Sequence, residues 1–198
     1  TGEIPTIIDS GTGLHNDRII KEISKKINLE EIKQIVLTHE HFDHTGGLKI
    51  LKEKLDGKVQ IIAHENAASK IEKGNSEFAI MLGVKFENVQ VDKKLYDFDE
   101  LQIGDKNWKV IHTPGHTTGC ICLYEKDTKS LISGDTIFSN GSFGRYDFPG
   151  GDLNELIESI EKISKLDVEN MYPGHEGIVI KNANMHISKS LENCKLLR

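Results

Sequence analysis

The chain has 198 residues, 37% hydrophobic and 28% charged, which suits one domain with a full core and is too apolar for a disordered polypeptide. Twenty-five Lys and Arg against 31 Asp and Glu leave a net charge of −6, so nucleic acid is not an expected partner. No apolar run approaches the roughly 20 residues that a bilayer span needs, so no membrane partner is expected. Three cysteines, an odd number, fit a reducing cytoplasm better than a secreted disulfide scaffold.

In chain order, Thr6-Ile7-Ile8 reads as a short buried strand, and Asp9-Ser10-Gly11-Thr12-Gly13 follows with turn chemistry. The chain opens without Met on what reads as the end of a strand, so earlier strands are expected outside this numbering. Ile19, Ile20, Ile23 and Ile27 recur at helical spacing behind Asn16 or Asp17 as the cap. Ile35-Val36-Leu37 is a second buried strand, and a histidine-rich segment hangs off its carboxyl end as a loop. A Gly46-Gly47 break and an amphipathic run over 48–55 come next. Residues 59–63 predict a third strand and 65–72 a helix, whereas 74–92 lack a clean period and read as a lid or insertion.

From residue 101 the pattern changes to hairpins: 101–103 with 108–112 about a Gly104-Asp105-Lys106-Asn107 turn, then 121–124 with 131–133. Trp108 is expected in the core. Cys120 and Cys122, two apart on a strand, are expected as packing residues rather than a redox pair. Helices over 153–163 and 184–196 close the chain. Strand-helix units mixed with hairpins predict an α/β fold of four layers, an αββα sandwich of two mixed β-sheets, as one domain over 1–198.

The chemistry concentrates in Thr38-His39-Glu40-His41-Phe42-Asp43-His44, where four candidate metal ligands lie within six positions at a strand end. Imidazole and carboxylate are ligands that zinc and iron accept. One ion cannot easily take all four, because side chains so close in sequence point different ways; two neighbouring ions can. Further ligand types stand beside glycines at strand ends: His116 in Pro114-Gly115-His116-Thr117, Asp135 in Gly134-Asp135-Thr136, and His175 in Pro173-Gly174-His175. A structural zinc site would instead be closed, four-coordinate and cysteine-rich.

This order of motifs, HxHxDH, PGHT, GDT and PGH, resembles the metallo-β-lactamase superfamily over nearly the whole chain. The resemblance implies that His39, His41 and His116 bind a first metal ion. It implies that Asp43, His44 and His175 bind a second, with Asp135 bridging. Asp9 matches the family's supporting aspartate, which holds a ligand in place rather than binding metal itself. The implied cofactors are two divalent ions, zinc first, with iron or manganese as alternatives. Such a pair, about 3.5–4 Å apart, activates a water to attack a carbonyl or phosphoryl centre. The carboxylates Asp43 and Asp135 are the catalytic candidates.

The segment Ser142-Phe143-Gly144-Arg145-Tyr146-Asp147 resembles a loop of the glyoxalase II-like branch, with Arg145 and Tyr146 as candidate substrate contacts. The alternative for Arg145 is an internal pair with Asp147. The expected activity is therefore hydrolysis of an ester or thioester of a small molecule. Glyoxalase II proper holds glutathione with a C-terminal helical domain, and this chain runs about one helix past His175, so glutathione is not the expected carrier. A mononuclear-iron persulfide dioxygenase and a non-catalytic metal-binding domain are the two other readings. The flavodiiron branch normally has glutamate where His41 stands. His112 is expected to pack or support, and His15, His64 and His186 to be structural or on the surface.

Overall fold

A computed structural model describes residues 2–74, 83 and 87–198. The chain divides into two compact units, residues 1–95 with 102–106 and residues 96–101 with 107–198.

In the first unit four short strands, β1 (Thr6–Ile8), β2 (Gln34–Val36), β3 (Gln60–His64) and β4 (Lys93–Leu95), lie in that order, and each pairs in parallel with the next. Ile7 stands opposite Ile35, and Ile35 opposite Ile61. β2 and β3 are apolar and buried through their centres, as expected of strands covered on both faces. An antiparallel bridge joins Ile4 to Gly104. The helices are α1 (Asn16–Ser24), α2 (Phe42–Thr45), α3 (Leu48–Lys54) and α4 (Glu65–Glu72). Leu48 and Leu51 of α3 and Ala67, Ala68 and Ile71 of α4 join Ile35, Leu37 and Ile61 in one core. Full burial of each large aliphatic side chain contributes about 1.5–3 kcal/mol.

Two local expectations are corrected here. The α1 cap is His15, without a side-chain cap bond, and Asn16 is the first helical residue and buried. The histidine-rich segment is not all loop, since its second half winds into the single turn α2. Of the expected lid over 74–92, residues 75–82 and 84–86 lie outside the described residues, while Val89 and Val91 pack into the core.

The six-stranded sheet runs β10-β9-β8-β7-β6-β5, with β5 (Glu100–Ile103), β6 (Lys106–His112), β7 (Ile121–Glu125), β8 (Ser130–Gly134), β9 (Asn170–Pro173) and β10 (Val179–Ile180). It is mixed: β6–β7, β7–β8 and β9–β10 are antiparallel, and β8–β9 is parallel. In the second unit α5 (Leu153–Ile163) and α6 (Ala183–Lys195) lay Leu156, Ile160, Ile163 and Ile187 against Ile111, Cys122, Leu131 and Met171. Asp152 starts α5 by accepting the Glu155 amide at 2.9 Å. Cys120 and Cys122 are buried, as expected. Trp108 is only half-buried, a departure from the expected core position.

Candidate metal centre

In the first unit the ligand segment is held by the end of β1. The parallel pairing sets Ile8 opposite Val36, which brings Asp9 beside Thr38. The Asp9 amide donates to the Val36 carbonyl at 2.9 Å, and its backbone turns through the left-handed region at φ 59°. The Asp9 carboxylate then accepts three bonds: the Thr38 amide at 2.7 Å, the Thr38 hydroxyl at 2.8 Å and His44 Nδ1 at 2.8 Å. Ser10 adds two more, its amide and its hydroxyl both donating to the His44 carbonyl, at 2.7 and 2.9 Å. Gly47 permits this close approach, because a Cβ there would lie 2.3 Å from the Ser10 carbonyl oxygen.

These bonds choose tautomers. A carboxylate can only accept, so His44 carries its proton on Nδ1 and presents the Nε2 lone pair. The Thr38 hydroxyl directs its O–H to Asp9, so its oxygen accepts from His39 Nδ1 at 3.1 Å and leaves the His39 Nε2 lone pair available to a metal ion. The His39 ring lies 4.9 Å from that of His41 and 4.1 Å from that of His44. Asp43 Oδ2 stands 3.7 Å from His44 Nε2. Glu40, which interrupts the motif, is paired with Lys70 at 2.7 Å.

In the second unit the parallel pairing of β8 and β9 does the equivalent work. Gly134 stands opposite Pro173, and the Gly174 amide donates to the Gly134 carbonyl at 2.8 Å, so Asp135 and His175 leave their strands side by side. His175 Nε2 is 3.3 Å from Asp135 Oδ2. His116 follows the Pro114-Gly115 turn after β6. That turn sits against the start of α5, where a Cβ on Gly115 (φ 125°) would lie 2.2 Å from the Leu156 nitrogen. Ser159 donates to the Pro114 carbonyl at 2.7 Å and the Asp152 amide to the Gly115 carbonyl at 2.9 Å. His116 Nε2 is 3.5 Å from Asp135 Oδ2, and its Nδ1 bonds the Arg145 main-chain oxygen at 2.5 Å.

The spacing of these atoms fits a divalent ion. Metal–ligand bonds of about 2.0–2.2 Å in tetrahedral geometry place neighbouring ligand atoms about 3.4 Å apart. The 3.3 and 3.5 Å separations about Asp135 Oδ2 match that edge. By donor type, His39, His41, Asp43 and His44 of the first unit and His116, Asp135 and His175 of the second are residues that could hold metal. These seven are the ligand candidates read from the sequence, and Asp9 is bonded to one of them.

The remaining candidates divide. Arg145 forms a two-bond pair with Asp147, at 2.9 and 2.6 Å, and its guanidinium lies over the Phe148 ring at 4.1 Å. This is the internal pairing weighed as the alternative, and it raises the Arg145 pKa while lowering that of Asp147 through the same hydrogen bond. Tyr146 packs partly buried against the second core. His112 Nε2 pairs with the Thr118 carbonyl at 2.9 Å, His64 caps α4 by accepting the Asn66 amide at 3.3 Å, and His186 accepts the Asn140 amide at 2.8 Å. Sequence reasoning missed Thr38 and Ser10 as supports and missed Gly144. A Cβ on Gly144 would lie 1.9 Å from the Asp135 carbonyl oxygen and 2.9 Å from His116 Nδ1. The glycine beside Arg145 was the available signal.

No helix among the described residues is long and apolar enough to cross a membrane. Comparison with known proteins gives consistent results. The "Probable metallo-hydrolase" of Methanocaldococcus jannaschii is 31% identical over 182 residues, covering 88% of this chain and 84% of that protein. A hydroxyacylglutathione hydrolase of Pelagibacter ubique is 33% identical over 146 residues, covering 73% of this chain and 52% of that protein. The chain likewise spans 60% of the length of relatives from Aquifex aeolicus and Bacillus subtilis. Among solved structures, the BLEG-1 B3 metallo-β-lactamase is 27% identical with a TM-score of 0.78, over 97% of this chain and 88% of that one. TTHA1623, solved in a di-iron-bound form, is 28% identical with a TM-score of 0.72, over 94% and 85%. The expected fold class, α/β with two β-sheets and flanking helices, is the one these structures share. The model of the metallo-β-lactamase superfamily matches residues 1–175. The chain belongs to the metallo-β-lactamase superfamily.

Proposed function

We propose that this chain supplies the metal centre of a hydrolase acting on a small acyl thioester or related ester. His39, His41 and His116 would hold one divalent ion and Asp43, His44 and His175 a second, with Asp135 shared between them. Two ions so held would supply hydroxide near neutral pH by lowering the pKa of a bound water. The carrying observation is the set of tautomer locks. Oxygen atoms of Thr38, Asp9 and Arg145 face Nδ1 of His39, His44 and His116, which keeps three Nε2 lone pairs for ligation.

The chain's own residues supply the rest. Asp43 and Asp135 are the proposed catalytic carboxylates: Asp135 would hold metal, and Asp43, which has a second oxygen, would take the proton of the attacking water and pass it to the leaving thiolate or alkoxide. Arg145 and Tyr146 are proposed to face the substrate, with Arg145 exchanging Asp147 for an anionic group. The thioester class is supported by the Gly-Arg-Tyr-Asp segment and by similarity to the hydroxyacylglutathione hydrolase. Zinc is the first choice of metal, and iron is the alternative that the di-iron TTHA1623 supports. A panel of acyl thioesters, with and without a glutathione carrier, tests the reading on fully metallated protein. Turnover that disappears in Asp135→Ala is expected, and no turnover across the panel would sink the thioester assignment.

A further inference from the structure

We propose that Ser139 and Glu176 are positioning residues for His175, and that their contact sets whether the second ion is retained. This rests on the two-ion reading above. His175 is the most exposed of the proposed ligands: its side chain is 49% exposed, against 6% for Asp135, 5% for His116 and 4% for His44. Burial alone therefore does not fix its ring, and something local must.

The segment after Asp135 provides it from two directions. The Phe138 ring meets the His175 ring edge to face, with centroids 5.8 Å apart and planes at 83°. The Ser139 hydroxyl donates to Glu176 Oε2 at 2.8 Å, tying the residue after the ligand to the same segment. Phe138 and Ser139 are themselves buried, so the anchor is rigid. Glu176 carries a backbone φ of 66°, in the left-handed region that a glutamate seldom occupies without support. Its carboxylate bond to Ser139 supplies that support, and the turn aims the preceding side chain. His175 Nε2 is thereby kept 3.3 Å from Asp135 Oδ2, the separation that a shared ion requires.

Cobalt(II) titration of the metal-free chain, followed by visible absorption and closed by elemental analysis after dialysis, tests this without an activity readout. Glu176→Gly keeps the turn conformation and removes the carboxylate; Ser139→Ala removes the same bond from the other side. Both are expected to weaken the second site by roughly tenfold or more while leaving the first site at wild-type affinity. Glu176→Gln, which keeps an acceptor oxygen, is expected to restore two-ion binding. Thermal unfolding identifies any variant that fails to fold, in which case the opposite-side variant decides. Wild-type affinity at both sites in Glu176→Gly and Ser139→Ala would overturn the proposal. One ion in the wild-type chain itself would overturn the two-ion reading and this proposal with it, and that failure is read before any variant is made.

Discussion

His116 donates through Nδ1 to the main-chain oxygen of Arg145 at 2.5 Å, so the functional contribution of this arginine begins in its backbone. The loop reaches that position only because Gly144 lies where a Cβ would strike the Asp135 carbonyl. Gly144→Ala should therefore displace both His116 and Asp135, lowering stability by about 3 kcal/mol and removing bound metal. Arg145→Ala keeps the carbonyl and should retain metal at wild-type stoichiometry. If its guanidinium faces substrate as proposed, KM rises while kcat changes little. Elemental analysis and steady-state kinetics on the two variants separate the backbone role from the side-chain role.

Asp9 orients His44 and, through Thr38, His39. Replacing it with Ala leaves the Thr38 amide, the Thr38 hydroxyl and the His44 ring without their acceptor, and the hydroxyl that faces His39 Nδ1 loses its fixed orientation. Metal affinity should fall about 10–100-fold, and stability of the metal-free chain by about 2 kcal/mol. Competitive titration against a chelator, with denaturant unfolding alongside, measures the two effects.

All three thiols are buried, and burial pushes the Cys122 thiol up to about 11. The folded chain should react with an aromatic disulfide reagent at pH 8 at a rate set by unfolding, with three equivalents released only in denaturant. Rapid release of one equivalent from the native chain would contradict the packing role given to Cys120 and Cys122.

Asp97 links the turn before β5 to α5. Burial alone would raise its pKa, but the Lys162 ammonium at 2.7 Å and the His112 amide at 2.9 Å outweigh that and hold it below the usual carboxylate value. Its contribution is complete above about pH 4, where the unfolded carboxyl is already ionised, and is lost as pH falls through the lower folded value. Asp97→Asn should lower stability by about 1 kcal/mol at pH 7 and flatten the acid limb of the stability profile.

Legibility in the sequence followed periodicity. The helices over 65–72 and 153–163 were readable to the residue, because each carries a full apolar stripe between clear boundaries. β4 and β10 were not read, and β9 was read only as an unbounded strand end before His175: Lys93-Lys94-Leu95 is mostly charged, β9 ends in Pro173, and β10 has two residues, so no alternation can develop. Asn16 looked like a cap by residue type, yet its burial belongs to tertiary packing that local sequence does not carry. The candidate ligands were legible because their side chains bear the chemistry. The supports were less so, since the acceptor for His116 is a main-chain oxygen and the role of Gly144 is the space it leaves.

The central claim is that the locked imidazoles and shared carboxylate hold two divalent ions. Elemental analysis of protein purified without added metal tests it most directly. About two ions per chain, zinc first, are expected. A single iron per chain would contradict it and turn attention to oxygen-dependent sulfur chemistry.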